Sequence, residues 1–255
     1  MTLRKVLILE QRTAYFQDVD QAGGMGGLFV RAGGLDPGEA VLADMETVRA
    51  RRPDPADYAG VIVTGSLAMA SDGLPWMLEL QEWLAAAMAG GLPVLGVCFG
   101  HHILALALGG EVGWHPSCQE LGPHEINFLP DAPPRDDDPL LCGLPDRFAA
   151  FLAHSQTVSR PPRGAKILAR SALDPHQILS YGPGVLGVQF HPEFTREIVD
   201  VFVKDDAPPP PGGPQKVLLG DAPVGSNPAA GIIRRFVNLA ANGRRTAAAG
   251  REPPE

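Results

Sequence analysis

The sequence predicts an α/β fold, in which helices cover a doubly wound, mostly parallel sheet that carries an antiparallel extension. Short apolar runs alternate with helical stretches in the first half of the chain, and after Glu111 short strands are separated by Pro- and Asp-rich turns. A length of 255 residues suits one large domain. We expect that single domain to cover residues 1–242 and to be followed by a disordered tail over residues 243–255.

Three apolar runs in the first half have the composition of strands that are buried on both faces of a sheet. They lie at residues 6–9, 61–63 and 93–97. Helices are predicted over residues 75–88 and 102–108, because both stretches contain strong helix formers and end at a pair of glycines. Strands and helices that alternate in this way favour parallel strands, and such sheets bind ligands at the carboxyl ends of their strands.

The second half is predicted to extend the same sheet with more antiparallel strands, at residues 125–129 and 148–152. Residues 204–228 include four consecutive prolines and are predicted to form an exposed loop, since proline does not fit the interior of a helix. A last helix is predicted over residues 228–242, where apolar residues recur at helical spacing.

The composition excludes several function classes. A net charge of −8, with no basic cluster longer than two residues, argues against nucleic acid or an acidic membrane surface as a partner and favours a small-molecule substrate. The three cysteines form no CxxC pair and support neither a disulfide framework nor a zinc site. No apolar run is long enough for a signal-peptide core or a membrane span, so we expect a cytoplasmic protein.

Cys98 is the predicted nucleophile. It follows an apolar strand, lies between Gly96 and Gly100, and precedes a predicted helix. This strand, turn and helix form a nucleophile elbow in which sulfur replaces a hydroxyl, with the glycines allowing strand and helix to approach closely. A thiol in such a turn needs a nearby imidazole in order to react near neutral pH.

His191 and Glu193 are the predicted partners of Cys98. They follow a second apolar run at residues 185–190, so they also lie at a strand end. Residues i and i+2 of an extended segment project to the same side, and Pro192 stiffens the backbone between them. We therefore predict that His191 acts as the base and that Glu193 orients its ring.

The two motifs together, residues 96–101 and 189–193, resemble those of the class I glutamine amidotransferases, the triad-type glutaminase family. The resemblance covers roughly residues 4–200 and is closest to stand-alone members similar to the amidotransferase domain of GMP synthase. It implies a flavodoxin-like fold. It also implies that Cys98 attacks the side-chain amide of glutamine, with His191 as base and Glu193 as its orienting group.

Acyl transfer needs backbone donors for the oxyanion. The N–H of Phe99, directly after the nucleophile, is one donor by elbow geometry. The resemblance places the second in the turn after the third strand, at Gly65 or Ser66. Leu67 stands where many members of the family have proline, so the choice between the two stays open.

Further residues resemble the segments with which the family holds the amino and carboxylate groups of glutamine, although an ordinary turn and strand end would explain them equally well. His102 stands where the family usually has glutamine, and Gln156 replaces the usual aspartate. The neutral imidazole of His102 could partly mimic an amide, or it could alter substrate choice. The predicted substrate-binding residues are His102, Gln119, Glu120, Gly122, His154, Ser155 and Gln156.

Three functions are compatible with the sequence. The first is release of ammonia and glutamate from L-glutamine through a cysteine thioester. The second applies the same triad to a γ-glutamyl peptide or another small amide, and the third is a binding or regulatory module without turnover. Family members usually pass ammonia to a synthetase, and no P-loop motif is present, so we expect the acceptor to be a separate synthetase subunit or to be absent.

No cofactor or metal is predicted. The adjacent His101 and His102 invite a metal interpretation, but neighbouring side chains on a helix point about 100° apart. No His or Glu follows them at the spacing that would complete a site.

Overall fold

A ten-stranded mixed sheet forms the centre of the computed structural model. The structure describes residues 4–11, 19, 23–36, 38–46, 48, 53–204, 212–214, 216–223 and 227–249. The strands are β1 (Lys5–Glu10), β2 (Ala40–Asp44), β3 (Tyr58–Val63), β4 (Val94–Val97), β5 (Glu111–Trp114), β6 (Gln119–Phe128), β7 (Arg147–His154), β8 (Gln156–Arg160), β9 (Lys166–Arg170), β10 (Ile178–Gly182), β11 (Val185–Val188) and β12 (Val217–Leu219). The helices that we name are α1 (Gly24–Gly33), α2 (Pro75–Ala89), α3 (Phe99–Ala107), α4 (Arg196–Lys204) and α5 (Ala230–Ala249).

The sheet has a parallel half and an antiparallel half. The parallel half has the order β2-β1-β3-β4-β11, with each strand parallel to its neighbours. Beyond β11 the strands β10, β9 and β6 follow in antiparallel pairs, and both β7 and β12 pair with β6. Strands β5 and β8 form a separate antiparallel pair. The predicted fold class, a mostly parallel sheet with an antiparallel extension, is confirmed.

Alternate residues of the parallel strands face two separate cores, as the period of a strand requires. Val6 and Ile8 of β1 pack with apolar residues of α1 and α5 on one face. Leu7 and Leu9 pack with α2 and α3 on the other face. Because both faces are covered by helices, these strands are apolar without interruption, and this is why the sequence could predict them.

The elbow after β4 depends on two glycines. A Cβ atom added at Gly96 would lie 2.5 Å from the carbonyl oxygen of Gly100, and one added at Gly100 would lie 2.2 Å from that of Val63. Carbon and oxygen cannot approach so closely without a shift of the backbone. The start of α3 therefore lies directly against β3 and β4, as the Gly-x-Cys-x-Gly pattern predicted.

The end of the chain differs from the prediction. The predicted loop over residues 204–228 contains strand β12, which pairs in parallel with residues 119–121 of β6. Three apolar residues are too few to predict a strand from the sequence. These residues form one because they pair with the edge of β6. Within that predicted loop, residues 205–211, 215 and 224–226 lie outside the described part of the chain.

The last helix is longer than predicted. Helix α5 continues to Ala249, beyond the predicted helix end at residue 242, and the disordered tail stays a prediction. The predicted helix ends before Gly243 because glycine often terminates helices. A glycine inside a helix lowers the stability of the helix by only about 1 kcal/mol, and the residues after Gly243 include good helix formers. Residues 250–255 lie outside the described part of the chain. None of the helices described has the length and apolarity needed to cross a membrane.

We predict that Gly100→Ala destabilises the protein by about 1–3 kcal/mol, because the added methyl group must push α3 away from β3. Urea denaturation of the wild type and the variant measures this change in the free energy of unfolding. Gly113→Ala is the matched control, since a Cβ atom at Gly113 meets nothing within 4 Å. Equal effects of the two substitutions would contradict the role given to Gly100.

Candidate active site

Cys98 lies at the carboxyl edge of the parallel strands, between β4 and α3. Its backbone has φ 51° and ψ −103°, and it is the only non-glycine residue with positive φ in the described ranges. Such a conformation costs of order 1–3 kcal/mol and persists only where neighbours hold it. Here the Cys98 N–H donates to the carbonyl of Val188 at 2.9 Å, and the Cys98 carbonyl accepts from the N–H of His102 at 3.1 Å. The strain places the sulfur at the amino terminus of α3.

His191 and Glu193 meet as the sequence predicted. The backbone N–H of His191 donates to the carbonyl of Phe151 at 2.8 Å, which fixes the segment after β11. Its ring Nδ1 donates to Glu193 Oε1 at 2.7 Å, and its ring faces that of Phe194 with 4.0 Å between centroids. The sulfur of Cys98 lies near enough to this imidazole to raise the pKa of His191. The three predicted side chains therefore lie in one group.

This group is almost sealed from solvent. The exposed fractions are 6% for Cys98, 3% for His191 and 4% for Glu193. Burial alone would lower the pKa of His191, but Glu193 and the sulfur of Cys98 outweigh burial and raise this pKa from 6.5 to about 10. The arrangement thus favours a protonated imidazole beside the Glu193 carboxylate, a form that can later return its proton to a leaving group.

The predicted oxyanion turn lies against the imidazole. A Cβ atom at Gly65 would be 2.8 Å from His191 Cε1, so only glycine fits beside the ring. The turn is fixed at both ends: the Thr64 carbonyl accepts from the N–H of Gly100 at 3.2 Å, and the Ser66 hydroxyl donates to the side-chain oxygen of Gln11. Gly65 and Ser66 are thus brought to the site. Which of them donates to an oxyanion stays a prediction.

Glu120 and His154, two of the predicted substrate-binding residues, are hydrogen-bonded to each other, and their contact with a substrate stays a prediction. Glu120 is 0% exposed, and its carboxylate accepts from His154 Nε2 at 3.0 Å and from the Ser171 hydroxyl at 2.9 Å. The other nitrogen of His154, Nδ1, donates to the carbonyl of Gln156 at 2.8 Å. Because both ring nitrogens face acceptors, the surroundings of His154 favour its imidazolium form. Burial lowers the pKa of His154, but the Glu120 carboxylate and Asp174 reverse this effect, so the pKa is raised overall.

In the described part of the chain, one group of side chains has the spacing of metal ligands. The ligand atoms of Glu120, His154 and Asp174 all lie within 4.8 Å of one another, and the three residues are buried. An imidazolium has no free lone pair for a metal ion. The group is therefore better described as a cation held between two carboxyl groups.

His102, one of the predicted substrate-binding residues, has a side-chain partner that sequence reasoning missed. Its Nε2 donates to Gln189 Oε1 at 2.6 Å inside the core. Burial lowers the pKa of His102 to about 3, so this imidazole is neutral. Gln189 precedes His191 by two residues, and this spacing was the one available signal for its position near the site.

The remaining predicted substrate contacts are held through their backbones. The N–H of Gln119 donates to the carbonyl of Lys216 at 2.7 Å, and the carbonyl of Ser155 accepts from the N–H of His115 at 2.8 Å. Gly122 has φ 94°, in the left-handed region that favours glycine. Contact of these three residues with a substrate stays a prediction.

Comparison with known proteins gives a family match. Residues 39–202 match the family model described as glutamine amidotransferase class-I. This range includes Cys98, His191 and Glu193. It omits β1, which the structure nevertheless places within the parallel half of the sheet.

Three curated relatives align with about half of the chain. A GMP synthase [glutamine-hydrolyzing] from Aeropyrum pernix is 40% identical over 147 residues, which are 56% of this chain and 26% of that protein. One subunit of the GMP synthase from Ignicoccus hospitalis is 36% identical over 143 residues, 55% of this chain and 70% of that subunit. Gamma-glutamyl peptidase 5 from Arabidopsis thaliana is 32% identical over 150 residues, 58% of this chain and 59% of that protein.

A solved structure matches nearly the whole chain. The glutamine amido transferase from Methylobacillus flagellatus superposes with a TM-score of 0.67 and 24% identity, covering 99% of this chain and 98% of that one. At this identity the likeness concerns the fold. It agrees with the mixed sheet described above.

We predict that Glu193→Gln lowers the pKa of His191 from about 10 by roughly 1–3 units, because the nearby negative charge is lost. An NMR titration of the histidine rings measures this change. The charged imidazole contributes stability fully below pH 6.5, and this contribution is lost as pH rises through about 10. An unchanged titration curve in the variant would show that Glu193 is not the cause.

We also predict that Gly65→Ala slows alkylation of Cys98 by iodoacetamide at neutral pH about tenfold, because the displaced imidazole no longer pairs with the sulfur. Mass spectrometry of the Cys98 peptide follows the reaction. Gly113→Ala again serves as the control and is expected to react at the wild-type rate. Equal rates for wild type and Gly65→Ala would contradict the close approach of this turn to His191.

Proposed function

The chain belongs to the class-I glutamine amidotransferase family, and we propose that it releases ammonia and glutamate from L-glutamine through a thioester on Cys98. The observation that carries this proposal is that Cys98, His191 and Glu193 lie together at the carboxyl edge of the sheet, with His191 hydrogen-bonded to Glu193. A thiol, an imidazole and a carboxylate in this order are the parts required for nucleophilic acyl transfer.

In the first half of the proposed reaction, the sulfur of Cys98 attacks the carbon of the substrate's side-chain amide. The thiol proton passes to His191 and from there to the nitrogen as the carbon–nitrogen bond breaks, so that ammonia leaves and a thioester remains. The N–H of Phe99, with that of Gly65 or Ser66, stabilises the oxyanion, at about 3 kcal/mol for each donor.

In the second half, a water molecule loses a proton to His191 and attacks the thioester carbon. The carbon–sulfur bond then breaks, glutamate leaves, and the proton on His191 returns to the sulfur. Glu193 keeps the Nδ1 proton of His191 directed at itself, so that Nε2 is free to exchange protons with the sulfur and the substrate. Each group ends in the state in which it began.

A γ-glutamyl peptide is the second candidate substrate. Two observations favour it: His102 and Gln156 depart from the family's usual residues, and the chain is 32% identical over 150 residues to a protein named gamma-glutamyl peptidase 5. The same steps would apply, with an amine in place of ammonia as the leaving group. The reacting atoms of the protein would be unchanged.

The proposed acceptor of the ammonia is a separate synthetase subunit. The relative from Ignicoccus hospitalis is named as one subunit of a GMP synthase, and the chain matches 70% of its length. The match to the Aeropyrum pernix protein covers only 26% of that longer protein, so the activity of the whole enzyme is not transferred to this chain. The proposal is limited to the ammonia-releasing step.

We predict that purified protein releases ammonia from L-glutamine and that Cys98→Ala lowers the rate by about a thousandfold or more. A coupled ammonia assay measures this rate. Cys142→Ala is the matched control, because this free, half-exposed cysteine lies outside the site, and it should leave the rate unchanged. Activity that survives in Cys98→Ala would rule out the proposed mechanism.

The substrate is decided by comparing kcat/KM for L-glutamine with that for γ-glutamyl dipeptides. Higher kcat/KM for the dipeptides, moved toward glutamine by His102→Gln, would support the second candidate. An electrophilic glutamine analogue should label Cys98 in either case. If it fails to label Cys98, the protein is better described as a binding module on this fold.

A further inference from the structure

Gln156 connects two distant parts of the chain. It is the first residue of β8 and is 2% exposed. Its side-chain Nε2 donates to the hydroxyl of Ser71 at 2.6 Å, and the backbone N–H of Ser71 returns a long contact to Gln156 Oε1 at 3.4 Å. A neutral amide can both donate and accept, and this pair uses both properties.

Ser71 belongs to the segment that follows the predicted oxyanion turn. It is the middle residue of a 3₁₀ turn at Ala70–Asp72, a few residues after Gly65 and Ser66. Within this segment the N–H of Ala68 donates to the Ser66 hydroxyl at 2.9 Å, and Ala70 is 1% exposed. We call residues 65–72 the oxyanion segment. The hydrogen bond between Ser71 and Gln156 therefore connects the far end of this segment to β8.

The residues next to Gln156 in the sequence also lie close to the sulfur of Cys98. The carbonyl of Gln156 accepts from His154, and Ala153, directly before that histidine, has its carbonyl oxygen 3.8 Å from Cys98 Sγ. On the opposite side, Gly65 lies against the ring of His191. Gln156 thus connects the segment that contacts His191 through Gly65 with the segment that contacts Cys98 through Ala153.

We propose that Gln156 is a positioning residue, which acts through Ser71 to hold the oxyanion segment at its working distance from Cys98. This inference depends on the proposed function and replaces a direct contact between Gln156 and substrate. The aspartate that is usual in the family is one methylene shorter, and as a carboxylate it can accept from Ser71 but cannot donate. The glutamine therefore makes a two-way contact with Ser71 that an aspartate could not make.

The kinetic test compares Ser71→Ala, Gln156→Ala and the double variant. Each single substitution is expected to lower kcat about tenfold or more while KM stays within about twofold, because the oxyanion donors act in the transition state. The double variant should be no slower than the slower single variant, since the two side chains act as one unit. Alkylation of Cys98 by iodoacetamide should be unchanged, because displacement at a saturated carbon forms no oxyanion.

Two conservative substitutions serve as controls. Ser71→Thr keeps the hydroxyl at a surface position and should retain wild-type kcat. Thr157→Val changes a buried residue of the same strand whose hydroxyl has no hydrogen-bond partner among the described residues, and it should also leave kcat unchanged. A loss of kcat in Thr157→Val as large as that in Gln156→Ala would overturn the proposal, because any disturbance of β8 would then suffice.

Hydrogen exchange supplies a readout that does not require turnover. The backbone amides of residues 66–72 should exchange faster in Ser71→Ala and Gln156→Ala than in the wild type or in Ser71→Thr. If the wild type hydrolyses no amide, the proposed function is wrong. Hydrogen exchange still tests whether the contact between Ser71 and Gln156 holds residues 66–72 in place. Unchanged exchange, additive losses of kcat, a rise in KM alone, or a parallel loss of alkylation would each overturn the positioning role.

Discussion

The parallel pairing of β4 with β11 is the constraint on which the candidate site depends. Its register places Val97 beside Val188, so the chain leaves both strands at the same edge of the sheet. Cys98 follows one strand directly, and His191 comes three residues after the other. The backbone N–H of Cys98 also donates to the carbonyl of Val188, which continues the pairing into the elbow. A shift of this register would separate the sulfur from the imidazole while leaving the sequence motifs intact.

Burial lowers the pKa of His102, His154 and His191, but the side-chain partners of the three rings differ. His102 has an amide as its partner, and its pKa is lowered to about 3. His154 and His191 are equally buried, but each has a carboxylate within hydrogen-bond distance, and the pKa of each is raised overall. The sign of each net shift follows from the partner and not from depth in the core. The three rings therefore differ in the protonation state that their surroundings favour.

His102 and Gln156, both predicted to depart from the family's usual residues, have the same structural outcome. His102 bonds to Gln189 and Gln156 bonds to Ser71, so both side chains are engaged inside the protein. Cys98, His191 and Glu193 lie together near them. This arrangement leads us to propose the reaction of the family on Cys98, with Gln156 as a positioning residue.

Much of the fold followed from the sequence, because strands covered on both faces are apolar throughout and helices end at recognisable glycines, as in β1, β4 and α2. The contact of His191 with Glu193 was also predicted, but residues 192 and 193 form a turn and not the extended segment from which it was inferred. Two elements could not be predicted from the sequence. Strand β12 depends on pairing with the edge of β6, and the full length of α5 depends on a glycine that is tolerated within the helix.

The order of amino acids was enough to predict most of the elements and the reactive side chains at their ends. Which side chains meet across the chain depends on the folded arrangement: Glu120 with His154, His102 with Gln189, and Ser71 with Gln156. These pairs are separated by 34, 87 and 85 residues. Local patterns carry no information about partners at such distances, because sheet order and register must first bring the strands together.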